Sequence, residues 1–111
     1  MDKLEHYRNY IKDIIKEYGQ YQYSYGDIET QMIFDHENDH YQLLYVGWHE
    51  NTRIRGCILH INLKNNKIWI QHDGTEIGIA NVLVDQGVPK EDIVLAFHAP
   101  YKRPYTGFAV N

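Results

Sequence analysis

Four strand-like runs follow one another so closely in this chain that only an antiparallel arrangement can connect them. Asp27–Asp35 alternates through Ile28, Thr30, Met32 and Phe34. A turn at Asn38-Asp39 leads into His40–His49, which is strand-like on both faces. Glu50-Asn51-Thr52 makes a short hairpin connection into Arg53–Leu63, where Cys57, Leu59, Ile61 and Leu63 are expected to point one way. Asn65-Asn66 suits a two-residue type I′ turn, because asparagine tolerates positive φ, and Lys67–His72 is the returning strand. Parallel neighbours need crossovers of roughly a dozen residues or more, so these runs predict a four-stranded antiparallel meander.

Such a sheet needs a cover for one face, and residues 2–18 supply it. Leu4, Tyr7, Ile11, Ile14, Ile15 and Tyr18 form one helical stripe, with Gly19 as the expected stop. The opposite side carries Arg8, Lys12 and Lys16 among acids, which reads as a solvated face with helix ion pairs. After the meander, Thr75 is the expected N-cap of a second helix, with Glu76 in its first turn. Ile77, Ala80, Leu83 and Val84 would be its buried face, closed by Asp85-Gln86-Gly87. Val88–Asp92 fits a short helical turn, Ile93–Phe97 a short strand of unspecified pairing, and Tyr105–Val110 is apolar enough to dock. The expected architecture is a single α+β domain over residues 1–111: an N-terminal helix packed on an antiparallel four-stranded meander, followed by helical segments and a short final strand.

Net charge is −4, so the chain lacks the basic field of a stand-alone nucleic-acid binder. Residues 1–39 hold nine acids against four bases, whereas residues 40–111 hold six acids against seven bases. Any nucleic-acid or anion contact is therefore expected on the C-terminal part. Cys57 is the only cysteine, which rules out an internal disulfide and fits a reducing cytoplasm. No apolar run approaches the ~20 residues of a membrane span, and the start of the chain does not read as a signal peptide. A cytoplasmic protein is expected.

Chemistry is concentrated between Lys67 and Gly107. His72 and His98 each end an apolar run, and Asp73 could set a histidine tautomer for acid–base work. With Ser24 as the lone serine and Cys57 buried by pattern, a nucleophilic triad is not expected, and no catalytic residue is assigned. His36 and His40 have zinc-like spacing but flank a polar hairpin tip, so no metal is expected. A polar, anion-binding site is the better candidate: His72, Asp73, Thr75 and Glu76 at the second helix start, with His98, Lys102 and Arg103 nearby if the final strand pairs alongside Lys67–His72. The bland alternative is that Glu76 already satisfies the helix dipole and the basic pair is solvated. Tyr21, Tyr23, Tyr25, Tyr101 and Tyr105 sit in connectors that nothing forces inward. Bases are sparse around the first three, so these tyrosines point to a protein interface rather than to stacking on nucleic acid.

The chain resembles the XisI family, the fdxN element excision controlling factor proteins of cyanobacteria. The likeness runs from MDKLEHYRNYIKDIIKEY to PYKRPYTGFAV. Its most specific parts are Tyr25-Gly26-Asp27-Ile28-Glu29, Asp39-His40-Tyr41-Gln42-Leu43, Val46-Gly47-Trp48, Lys67–Glu76, Gly87–Leu95 and Phe97-His98. The resemblance implies participation in a developmentally regulated DNA rearrangement, in which a site-specific recombinase excises an element during heterocyst differentiation. It also implies association with a second protein of nuclease-like fold, XisH, and carries no catalytic residue or cofactor. The expected role is thus a non-enzymatic accessory factor that binds an XisH-like or recombinase partner, as a homodimer or within a heteromeric complex. The acidic first third suits a basic partner. The alternative is a direct DNA-binding architectural factor that uses Arg53, Arg55, Lys102 and Arg103.

Overall fold

Asp2 opens the first helix by accepting a 2.8 Å hydrogen bond from the Glu5 amide, and α1 then runs Lys3–Gly19 in the computed structural model, which describes residues 2–21 and 27–111. The strands are β1 (Asp27–Asp35), β2 (His40–His49), β3 (Thr52–Lys64), β4 (Lys67–Asp73) and β5 (Ile93–Leu95). Between β4 and β5 lies α2 (Ile79–Asp85), and 3-10 turns occupy Lys90–Asp92 and Pro100–Tyr105. The sheet order is β1-β2-β3-β4-β5. The first four strands form the expected meander, but the sheet has a fifth member. β5 joins it beside β4 in parallel, reached through α2, as a parallel pair requires.

The turns are set locally. Asn65 and Asn66 have φ of 54° and 63°, the type I′ pattern, between the paired Lys64 and Lys67. At the first turn the Asp35 carboxylate accepts from the amides of Glu37 and Asn38. Gly87, at φ 105°, ends α2: its amide bonds to the Val84 carbonyl and that of Val88 to Leu83, a Schellman close. Gly19 departs from expectation, being the last residue of α1, with Gln20 as the C-cap. Its lack of a side chain lets β1 approach, since a Cβ there would lie 3.3 Å from Met32 Sδ. The Gly19 carbonyl then accepts a 2.7 Å bond from Thr30 Oγ1.

The core lies between α1 and one sheet face. Tyr7, Ile11, Ile14 and Ile15 pack with Tyr41, Leu43, Leu59, Ile61, Ile68 and Ile70, and α2 adds Ile79, Ala80 and Leu83. Leu4 and Tyr18 complete the predicted stripe as partly buried neighbours. Two polar ties hold α1 in place. Arg8 donates from Nε and Nη2 to the two carboxylate oxygens of Asp39, at 2.8 and 3.1 Å, so it is not a simple solvated-face residue. Tyr41 Oη also donates to Asp39, at 3.0 Å. Burial, followed by this carboxylate, pushes the Tyr41 phenol up to about 12. At the other tie Tyr7 Oη donates to Asp92, which also pairs with Lys3 at 3.2 Å.

Two bulges decide what faces where. Leu43 pairs with Leu59 but Leu44 with Cys57, so Ile58 is an extra residue and Cys57 is out of phase with Leu59. The expected one-sided row from Cys57 to Leu63 is thus broken, and Cys57 is half-buried. Gln71 is the extra residue opposite His60 and Ile61 in the next pair. It donates a 2.9 Å bond to the Oδ1 of Asn62, the buried polar residue of β3.

Candidate functional site

Asp73 shapes the turn after β4. Its Oδ1 accepts from the Thr75 amide at 2.9 Å and the Thr75 hydroxyl at 2.6 Å, while Oδ2 accepts from the Ile79 amide at 2.7 Å. The carboxylate of Asp73 therefore sits against the first turn of α2, where an anion was expected. Helix α2 starts at Ile79 behind Gly78 (φ 84°), not at Thr75, whose hydroxyl instead accepts from the Gly78 amide. Ile77 falls outside the helix and is 59% exposed rather than buried. A strong acceptor two residues upstream of Thr75 outcompetes it for the free amides.

This turn walls a hollow of about 380 Å³ against the end of α1 and the sheet. Tyr18 and Tyr21 line it from the helix, Thr30 and Ile58 from the sheet, and Gly74 to Ile77 from the turn. Tyr21 is 61% exposed and meets Tyr18 edge-on, ring centroids 5.7 Å apart. A second hollow shares Ile58 and Gly74 and extends to Ile28, Tyr45, Ile54, Cys57 and His72. β4 ends at Asp73, opposite Leu59, which leaves Thr52–Cys57 without a β4 partner on that side. Burial holds the Cys57 thiol above its ordinary pKa, so it is a weak nucleophile.

The expected polar cluster divides in two. Thr75 and Glu76 line the first hollow and His72 the second, with Tyr21 beside them. His98, Lys102 and Arg103 belong to the C-terminal segment and line neither. Arg103 donates from Nε to the His98 carbonyl at 3.0 Å and from Nη2 to the Ala96 carbonyl at 3.3 Å, and its guanidinium lies 5.8 Å from the Trp69 ring centroid. It fastens the C-terminal segment to the sheet instead of standing free. The docking of that segment, anticipated from its apolar residues, is completed by the Ala109 amide on the Ile93 carbonyl. Tyr101 and Tyr105 are 72% and 89% exposed, and Tyr23 and Tyr25 lie outside the described residues.

Sequence reasoning missed a histidine row across the sheet. His60 pairs with His72 and its ring is 5.8 Å from that of His40. Burial first, then these two neighbours, lower the His60 pKa and favour the neutral ring. The signal was present in the alternation of β3, but pairing it with His40 and His72 required the register. Among the described residues no group of three or more His, Cys, Asp or Glu side chains is arranged to hold a metal ion. Nor is any described helix long and apolar enough to cross a membrane.

An α+β domain with one helix-covered sheet face and an open strand end is the class these features define. The family model of the XisI protein matches residues 1–110, and the chain belongs to the XisI family. It is similar to the crystal structure of a XisI-like protein from Anabaena variabilis, with 41% identity and a TM-score of 0.91 over 99% of this chain and 100% of that one. It is also similar to the fdxN element excision controlling factor XisI from Anabaena variabilis, with 40% identity and a TM-score of 0.88 over the same shares. No match was found among curated proteins.

Proposed function

We propose that this protein is a controlling factor for programmed excision of a DNA element, and that it acts without catalysis by binding a nuclease-fold or recombinase partner. The observation that carries this reading is the end-to-end likeness, at 40% identity, to a solved fdxN element excision controlling factor. Binding rather than chemistry is supported by the candidate site itself. Asp73, the carboxylate nearest His72 in sequence, is held by three hydrogen bonds to its own turn, and Cys57 is a poor nucleophile. The hollow beside that turn offers half-wet aromatic and apolar groups, Tyr21 and Ile77 among them, which suit a protein partner.

Two charge features bear on the partner. The acidic first third of the chain suits a basic, nucleic-acid-binding protein. Arg103 is engaged by the chain's own carbonyls and Trp69, which weighs against the C-terminal turn as a free phosphate clamp. Co-elution with an XisH-like partner on a sizing column, at low and high salt, tests the reading. A stoichiometric complex that weakens with salt and is lost on Ile77→Asp is the expected result. Separate elution at both salts, with retention of element-end DNA by this protein alone, would overturn it in favour of direct DNA binding.

A further inference from the structure

The sheet face turned away from the helices carries an ordered charge pattern. Asp27, Trp48 and Arg53 are direct cross-strand neighbours on β1, β2 and β3, and so are Glu29, Val46 and Arg55. Residues directly opposite in a sheet share a face. The two-residue period along β2 from the buried Leu43 places Val46 and Trp48 on the side opposite α1. The Arg53 guanidinium, 5.3 Å from the Trp48 ring centroid, lies on that same side. Each row therefore reads acid, apolar, base. All four charged residues are exposed, and among the described residues none of them forms an ion pair within the chain. Acid and base in a row are two strand spacings apart, about 10 Å, close to the screening length of physiological salt, so they attract each other weakly.

We infer that this face is a self-association surface whose occupant is a second copy of the chain, packed face to face about a two-fold axis parallel to β2. A half-turn about that axis exchanges β1 with β3 and leaves β2 over β2. It sets Asp27 of one copy over Arg53 of the other and Glu29 over Arg55, while Val46 and Trp48 meet their own counterparts. The fit follows from the antisymmetry of the rows: a surface acidic on one side and basic on the other matches itself when turned over. Other occupants match only half of it. A nucleic acid is repelled by Asp27 and Glu29, and a uniformly charged protein meets two like charges. Trp48, 50% exposed beside a shallow depression of about 630 Å³, is the natural anchor at the centre.

Sedimentation equilibrium of the full chain, over a micromolar concentration range and at two salt concentrations, tests this. The wild type dimerises, less strongly in high salt. Arg53→Glu with Arg55→Glu gives an all-acidic face, and Asp27→Arg with Glu29→Arg an all-basic one. Each double variant, with wild-type circular dichroism, loses at least about tenfold in dimerisation constant. An equimolar mixture of the two regains the dimer as a heterodimer, a rescue that misfolded chains cannot give. A wild type that stays monomeric, reversals without effect, or a mixture that does not associate would each overturn the proposal.

Discussion

At the helix-covered end of the sheet Leu59, Ile61, Ile68, Ile70 and Ile93 are completely buried, whereas at the open end Val46 and Ile54 are half-buried and Trp48 is half-exposed. β1, β2 and β3 run through both ends. What differs is the cover: α1 and α2 lie over the five buried residues, whereas Val46 and Trp48 point to the opposite sheet face and β4 stops before Ile54. The covered end supplies the hydrophobic stabilisation, and the open end keeps side chains available for contact. The backbones of β1 and β2 pack tightly at one point of the open end. A Cβ on Gly47 would fall within 1.9 Å of the Asp27 carbonyl oxygen, so β1 and β2 approach there more closely than any side chain allows.

Truncation at the two ends gives the largest contrast. Leu59→Ala should cost about 3 kcal/mol in urea unfolding, through lost burial and a residual cavity, whereas Val46→Ala should cost about 1 kcal/mol or less. Equal losses would break the comparison. The Arg8–Asp39 tie at the covered end comes next. Arg8, more than any other group, holds the Asp39 carboxyl below its ordinary range. With a depressed folded pKa, the contribution is complete above an unfolded carboxylate's value of about 4 and is lost as pH falls through the lower folded value. Asp39→Asn should therefore cost about 1 kcal/mol at neutral pH and flatten the acid limb of the stability profile. An unchanged acid limb would show that the tie adds nothing. The smallest effect belongs to Tyr101→Ala and Tyr105→Ala, each within about 0.5 kcal/mol of wild type in the same titration. A larger loss would mean that these rings pack.

Much of this molecule could be read along the chain, because the signals are local. The α1 stripe, the alternation of β1, the paired positive φ at Asn65-Asn66 and the close of α2 at Gly87 each depend on residues within a turn or two. The candidate site was less legible. Thr75 looked like a cap until the Asp73 carboxylate, folded back onto Ile79, took the free amides. The pairing of Lys102 with Arg103 looked like a free basic turn, yet Arg103 is held by carbonyls five and seven residues upstream and by a ring on another strand.

The sequence by itself determined which segments are helix and strand, that four strands must run antiparallel, and the likeness to the XisI family, since each rests on periodicity, turn chemistry or motif. Only the tertiary structure decided that β5 joins beside β4, that bulges at Ile58 and Gln71 change what faces the core, and that Asp27, Trp48 and Arg53 share a row. These are matters of register. A one-residue slip leaves the local pattern of a strand intact while turning every side chain to the other face, so the register is fixed by packing across the sheet and not by any single strand.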